Sequence, residues 1–202
     1  MPRSTAREKL LNAAAELFYA NGVAATGIDT ITAEAGVAKM SLYNNFSSKA
    51  HLVHGYLENR LAEWQALLAA RLKGARTPEE RILAVFHSYV DHAGLAFSWG
   101  FRGCGLLNAA AELPVGEPGR ATVAFQKEEV ERRLSDDLRA MRPDAGTLIG
   151  ETAQHLSYLL EGAMARAGLD GHDARLKSVR GIAASVLAQF AAATPPATPA
   201  TT

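Results

Sequence analysis

A short segment in the first quarter of the chain carries the side chains best suited to molecular recognition. They share the polar face of a predicted helix, and they are Lys39, Met40, Ser41, Asn44 and Asn45. An Asn side chain can hydrogen-bond both N6 and N7 of adenine, a Ser can contact a base or a phosphate, and a Met can contact the methyl group of thymine. This combination favours the reading of base edges in a DNA groove.

The charge distribution around this segment is compatible with a polyanion. The whole chain is neutral, with 21 basic and 21 acidic residues, but no carboxylate occurs between Ala35 and Leu57. That stretch contains Lys39, Lys49 and two histidines, so a phosphate backbone could approach it without meeting an acidic side chain. The alternative interpretation is a neutral polar patch with no ligand.

Sequence motifs of catalysis and metal binding are missing. The chain contains no Gly-x-Ser-x-Gly, no phosphate-binding loop, no Gly-x-Gly-x-x-Gly and no His-Glu-x-x-His. Cys104 is the only cysteine, which excludes an internal disulfide and a multi-cysteine metal site. We therefore expect no catalytic residue, no metal and no cofactor. A helical enzyme, or a helical adaptor that holds a partner without DNA, remains as the alternative.

The N-terminal third of the sequence predicts four helices. Thr5 and Glu8 form a capping box that starts the first helix, which ends at Asn21-Gly22. Thr26 can cap a short second helix that stops at Gly36, and a third helix covers Ala38–Asn45. Ser47 or Ser48 caps a long fourth helix that reaches about Leu72.

The remainder of the chain is also predicted to be helical. Thr77-Pro78-Glu79-Glu80 starts one helix, and Leu106–Glu112 forms a short one. A further helix ends before Pro143, and the last two helices cover about 144–167 and 172–193. The tail 194–202 contains only Thr, Pro and Ala, and we expect it to be disordered.

The run from Leu10 to Leu52 resembles the N-terminal DNA-binding domain of TetR-family regulators. The matching residues are the Ala35-Gly36-Val37 turn and the string Leu42-Tyr43-x-x-Phe46-x-Ser48-Lys49. The resemblance implies that Tyr43 and Lys49 contact phosphates, that Thr26 contacts the backbone where the second helix starts, and that the third helix reads bases. Four positions depart from the family pattern: Thr32, Ala38, Met40 and Asn45.

The same resemblance predicts the architecture of the whole chain. It implies an all-α fold of about nine helices, with a three-helix helix-turn-helix head at 1–50 (motif at about 27–46) and a helical effector-binding and dimerisation body at 51–193. The segment from Arg102-Gly103-Cys104 to Glu112 is similar to one branch of the family. We expect a regulator, specifically a repressor released from a palindromic double-stranded operator by a small molecule of unknown identity.

Two further sets of residues are candidates for the effector site and for the dimer interface. Aromatic and polar side chains in the middle of the chain could line a small-molecule pocket: Phe86, His87, Tyr89, Trp99, Phe101, Cys104, Asn108, Phe125, His155, Tyr158 and Glu161. The alternative for each is an ordinary place in the core. Apolar and small residues of the last two helices are the candidate contacts of a homodimer: Leu156, Leu160, Ala163, Val179, Ala184, Val186, Leu187 and Ala188.

Cellular location can also be read from hydropathy. No stretch of about 18 uncharged apolar residues occurs, and the N-terminus has no apolar signal segment. We therefore expect a cytoplasmic protein that makes no contact with a membrane.

Overall fold

The computed structural model describes residues 5–95 and 99–193, and these residues form nine α-helices and no strand. The helices are α1 Ala6–Asn21, α2 Ile28–Glu34, α3 Lys39–Asn45, α4 Lys49–Leu72, α5 Pro78–Ala93, α6 Gly105–Ala111, α7 Pro118–Met141, α8 Leu148–Asp170 and α9 Ala174–Ala192. The expected all-α fold of about nine helices is confirmed. The expectation of a disordered tail at 194–202 lies outside the described residues. None of the helices in the described part of the chain is both long and apolar enough to cross a membrane.

Local capping signals place most of the helix starts correctly. The capping boxes of Thr5 with Glu8 and of Thr77 with Glu80 are both formed, and Pro78 occupies the first turn of α5. The Ser48 hydroxyl accepts the N–H of His51 at 3.1 Å at the start of α4, so Ser48 rather than Ser47 serves this helix end.

Thr26 does not cap α2, which corrects the prediction from its residue type. The N-cap of α2 is Gly27, which makes no side-chain hydrogen bond to the helix. The Thr26 hydroxyl instead donates to the carbonyl oxygen of Gly22 at 2.7 Å, and its side chain is buried at the end of α1. The threonine therefore closes the α1–α2 connection rather than the start of α2.

The chain folds into two compact units that are not consecutive in sequence. The described residues of 1–63 and 96–126 form the head unit, and those of 64–95 and 127–202 form the body unit. Helices α4 and α7 each begin in the head unit and continue into the body unit. The expected boundaries at residues 50 and 193 delimit the DNA-binding head and the effector-binding and dimerisation body by function. They do not describe compact units, and this functional division stays a prediction.

The core of the head unit joins the three N-terminal helices to α4, α6 and the start of α7. Leu10, Ile31 and Leu42 are fully buried in it, and the rings of Phe18 and Tyr56 meet edge to face at 5.5 Å. Leu106, Ala109 and Val123 complete the same cluster. Residues far along the chain therefore support the helix pair α2–α3.

The body unit is built around α9, which packs against both α5 and α8. Its buried side chains include Ile82 and Phe86 of α5, Leu160 of α8 and Leu187 of α9. Arg81 of α5 and Asp137 of α7 form a half-buried ion pair at 2.6 Å. The unit thus holds together through helix packing, with polar pairs at its edges.

Candidate nucleic-acid interface

Helices α2 and α3 form a helix-turn-helix pair whose inner face is anchored in the core. Ile31 and Leu42 have no exposed surface and Phe46 has almost none. The two helices meet at Gly36, whose φ of 61° lies in the left-handed region that glycine adopts without strain. The outer face of α3 is thereby fixed relative to the head unit.

Two predicted base-reading residues, Met40 and Asn44, and the predicted phosphate contact Tyr43 point outward from α3. Met40 is 69% exposed, Tyr43 is 50% exposed, and Asn44 is also exposed. Ser41 and Asn45 are half-buried, and the Asn45 amide donates to the carbonyl oxygen of Ser41 at 2.7 Å. Because that bond holds Asn45 against its own helix, Asn44 is the asparagine better placed to reach a base.

The two lysines of the interface are held in different ways. Nζ of Lys39 lies 2.7 Å from a carboxylate oxygen of Asp29 on α2, and this hydrogen bond raises the pKa of Lys39. Nζ of Lys49, at the start of α4, donates weakly to the carbonyl oxygen of Ala24 at 3.5 Å. A phosphate would compete with a carboxylate for Lys39 but only with a neutral carbonyl for Lys49.

Thr26 lies beneath this surface rather than on it. Its side chain is 3% exposed, and its hydroxyl has the carbonyl oxygens of Gly22 and Leu17 as partners at 2.7 and 3.3 Å. The side chain therefore stabilises the turn that leads into α2. The phosphate contact implied for Thr26 by the family resemblance stays a prediction.

Comparison with known proteins identifies this arrangement. A family model described as bacterial regulatory proteins of the tetR family matches residues 10–56. The structure of a TetR-family transcriptional regulator from Streptomyces coelicolor superimposes with a TM-score of 0.83 at 29% identity, covering 92% of this chain and 96% of that one. Residues 10–56 therefore match the N-terminal domain of the TetR family. The match to the family model spans most of α1, all of α2 and α3, and the first part of α4. Helix α3 and the start of α4 carry the outward residues described above.

Curated relatives match less than half of this chain. The HTH-type transcriptional activator FasR of Mycolicibacterium smegmatis is 33% identical over 91 residues, which are 45% of this chain and 42% of that protein. The HTH-type transcriptional repressor KstR2 of Rhodococcus jostii is 29% identical over 99 residues, 46% of this chain and 48% of that protein. The matches thus span less than half the length of either relative.

The candidate effector residues fall in both compact units. The head unit contains Trp99, Phe101, Cys104, Asn108 and Phe125, and the body unit contains Phe86, His87, Tyr89, His155, Tyr158 and Glu161. Three of the aromatic candidates, Trp99, Phe125 and Tyr158, are each at least 60% exposed. Phe86, Tyr89 and Phe101 are buried, whereas His155 and Asn108 are exposed. In the part of the chain that the structure describes, no three His, Cys, Asp or Glu side chains come together as metal ligands.

Two of these residues have specific polar partners in the body unit. Oε1 of Glu161 accepts hydrogen bonds from the Tyr89 hydroxyl at 3.1 Å and from Nζ of Lys127 at 2.8 Å. His87 lies 3.1 Å from the guanidinium of Arg180, and burial together with that charge lowers the pKa of the histidine. Sequence reasoning missed Lys127, because one lysine in a charged run carries no signal, and it missed the buried Trp64 beside Tyr89.

Sequence reasoning also missed a set of bonds between the α1 end and the segment 102–112. The Tyr19 hydroxyl accepts the N–H of Arg102 at 2.6 Å and donates to the carbonyl oxygen of Gly103 at 3.1 Å. The Glu112 carboxylate accepts the N–H groups of Val23 and Ala24 at 2.9 and 2.7 Å. The only available signal was the resemblance of Arg102–Glu112 to one branch of the family.

The candidate dimer residues divide by burial within the subunit. Leu156, Leu160, Val179 and Leu187 lie in the core of the body unit, where α8 packs on α9. The contact of these four with a second copy stays a prediction. Ala163, Ala184 and Val186 are half-buried, and Ala188 is exposed.

Proposed function

We propose that this protein is a dimeric DNA-binding repressor whose α3 reads bases in the major groove of a palindromic operator. The observation that carries the proposal is the position of α3. Its inner residue Leu42 is fully buried, while Met40, Tyr43 and Asn44 project outward and Lys49 follows at the start of α4. This division matches the needs of a recognition helix, in which base contacts specify and flanking phosphate contacts position.

The outward faces of α8 and α9 support a symmetric dimer. Gly162 and Gly181 have open space where a side chain would begin, and Ile182 is 48% exposed. Around them lie further small or uncharged exposed residues: Tyr158, Ala165, Ser185 and Ala188. Small residues allow close approach between helices, and a two-fold axis would place two α3 helices on related half-sites. The partner we propose is therefore a second copy of this chain.

A salt titration on two duplexes tests the DNA contacts. The operator is first selected from random duplexes with the full-length protein, and a scrambled duplex serves as the non-specific reference. Lys49→Ala should weaken binding to both duplexes and lower the slope of log affinity against log salt by about one unit per subunit, because one phosphate contact is lost. Tyr43→Phe should weaken both duplexes with little change in slope.

Asn44→Ala is the matched variant on the reading face. It should cost on the order of 1–3 kcal/mol on the operator at one base-pair position and leave the salt slope nearly unchanged. If Asn44→Ala weakened both duplexes equally while Lys49→Ala removed only specificity, the assignment of α3 as the recognition helix would be wrong. Absence of any duplex binding by the wild-type dimer would favour a helical adaptor instead.

Release by a small molecule is the regulatory half of the proposal. A ligand of the body unit releases DNA only if it binds the DNA-free conformation more tightly, and a coupling of about 1–3 kcal/mol is typical. A reporter gene placed behind the selected operator distinguishes repression from activation. Expression should rise when the gene for this protein is deleted and also when the effector is supplied.

A further inference from the structure

A partly buried polar cluster lies in the body unit, where four helices each contribute one side chain. Trp64 comes from α4, Tyr89 from α5, Lys127 from α7 and Glu161 from α8. The rings of Trp64 and Tyr89 meet edge to face with centroids 6.4 Å apart. We call these four residues the Trp64–Glu161 cluster.

One half of the cluster is fully paired. Oε1 of Glu161 accepts from both the Tyr89 hydroxyl and Nζ of Lys127, and that ammonium group also lies 5.6 Å from the centroid of the Tyr89 ring. The charge of the glutamate is therefore balanced by Lys127 before any ligand enters. Because no net charge remains, the cluster offers no attraction to a second cation.

The other half of the cluster has two buried polar atoms without a partner among the described residues. One is the indole nitrogen of Trp64, a donor, and the other is Oε2 of Glu161, an acceptor. Trp64 is more than nine-tenths buried, so bulk water does not solvate its N–H. Folded proteins pair the large majority of such groups, and an unpaired donor and an unpaired acceptor flanking one tyrosine call for a bound molecule that satisfies them.

The chemistry of these two atoms restricts what that molecule can be. It must accept a hydrogen bond from Trp64 and donate one to Glu161. A carboxylate ion has no hydrogen to donate to Glu161, and a quaternary ammonium ion can neither donate nor accept. A hydroxyl or a carboxamide does both without charge.

We propose that the effector of this regulator is an uncharged molecule whose hydroxyl or carboxamide group binds between Trp64 and Glu161. The proposal rests on the proposed function, because it names the chemistry of the molecule that would release DNA. Lys127 and Glu161 also line a cleft of about 520 Å³ along α7 and α8, so the cluster is reachable from solvent at that end. The ligand site is then centred on a tryptophan that the sequence pattern did not single out.

The test follows the indole N–H signals of the full-length dimer labelled with nitrogen-15. The protein contains two tryptophans, and Trp99→Phe assigns their resonances. Four probes of similar size are titrated: benzamide, benzyl alcohol, toluene and benzoate. Benzamide or benzyl alcohol should shift the Trp64 signal saturably and leave Trp99 unmoved, because Trp99 is outside the cluster and 69% exposed. Toluene should bind about tenfold more weakly, since it leaves both atoms unpaired.

Calorimetry on variants checks the role of the indole nitrogen. Trp64→Phe keeps an aromatic ring but removes the donor, and it should weaken benzamide about tenfold. Trp99→Phe is the matched control, because it makes the same substitution at an exposed position outside the cluster and should leave benzamide affinity unchanged. If Trp64→Phe is too unstable to use, the probe order measured by the Trp64 signal of the wild-type protein still decides the question.

Three results would overturn the proposal: equal binding of toluene and benzamide, preferred binding of benzoate, or a Trp64 signal that none of the probes moves. The last result would mean that water satisfies the two atoms. Operator binding measured on the same samples separates this inference from the proposed function. Intact DNA binding without a probe response refutes the ligand site alone, whereas a Trp64 response without DNA binding refutes the regulator.

Discussion

Glu112→Gln is the substitution that most directly tests how the head unit is held together. Both oxygens of the Glu112 carboxylate accept backbone N–H groups of the α1–α2 connection, at 2.9 Å from Val23 and 2.7 Å from Ala24. A glutamine offers one acceptor, and its amide group would face the second backbone donor with another donor. One hydrogen bond is therefore lost and a donor–donor contact takes its place.

The magnitude follows from the burial of the two backbone groups. A hydrogen bond to a charged group contributes about 1.5–3 kcal/mol net, and a buried donor left unpaired costs about 1–3 kcal/mol. Val23 is buried, whereas Ala24 is exposed and can bond to water. We therefore expect a loss of about 2 kcal/mol of the free energy of unfolding, and a fall in Tm of about 4–8 °C for a chain of this size.

The assay combines calorimetry with amide hydrogen exchange and operator binding. Exchange at Val23 and Ala24 should accelerate in Glu112→Gln, because the carboxylate no longer protects both amides. The lost hydrogen bond should also loosen the orientation of α2 and α3. If restoring that orientation on DNA costs roughly 1 kcal/mol, operator affinity should fall about fivefold. That effect opposes the gain expected from removing a negative charge near DNA.

Glu117→Gln is the control, since it removes the same charge from the same loop. The Glu117 carboxylate makes no hydrogen bond or ion pair with any described residue. This variant should therefore keep the wild-type Tm and exchange rates and bind DNA slightly more tightly. Equal Tm values and equal exchange at Val23 in both variants would refute the reasoning.

Three further predictions concern charge, pH and assembly. Asp29→Asn frees Lys39 for phosphate, so operator and scrambled duplexes should both bind more tightly with a steeper salt dependence, and an unchanged slope would count against this role. The pKa of His87 is lowered in the folded chain, so below about pH 6.5 the unfolded chain takes up a proton that the folded chain does not. The free energy of unfolding should therefore decrease as the pH is lowered. Urea unfolding of His87→Gln should show a smaller fall between about pH 7.5 and 5.5, and equal falls would contradict the assignment. Ala188→Arg should yield monomers in sedimentation, whereas Ala69→Arg, the same change at an exposed site on α4, should remain dimeric.

Features set by neighbouring residues were predictable from the sequence. The capping boxes at Thr5 and Thr77, and the turn at Gly36, depend on side chains within three residues of one another or on one backbone angle. The inward positions of Leu42 and Phe46 follow from helical periodicity. Local rules therefore supplied the fold class and the outward face of α3.

Features that depend on distant residues were not predictable in this way. Glu112 binds backbone groups 88 and 89 positions earlier, and Lys127 pairs with a glutamate 34 positions later. Thr26 has a good capping side chain, but tertiary packing turns it toward the carbonyl groups that end α1. Periodicity states which face of a helix is buried, and it does not state which residue of another helix is met there.

The discontinuity of the head unit limits how this regulator can be recombined with others. In this chain, Leu106, Ala109 and Val123 complete the core beneath α1–α3. A chimera that exchanges only the first 50 residues would pack α1–α3 against another protein's residues at these three positions. It would also separate Val23 and Ala24 from the carboxylate that binds them. An exchange of DNA specificity therefore needs junctions near residues 63, 96 and 126 so that both segments move together. The same packing disfavours the transfer of residues 1–50 alone between proteins.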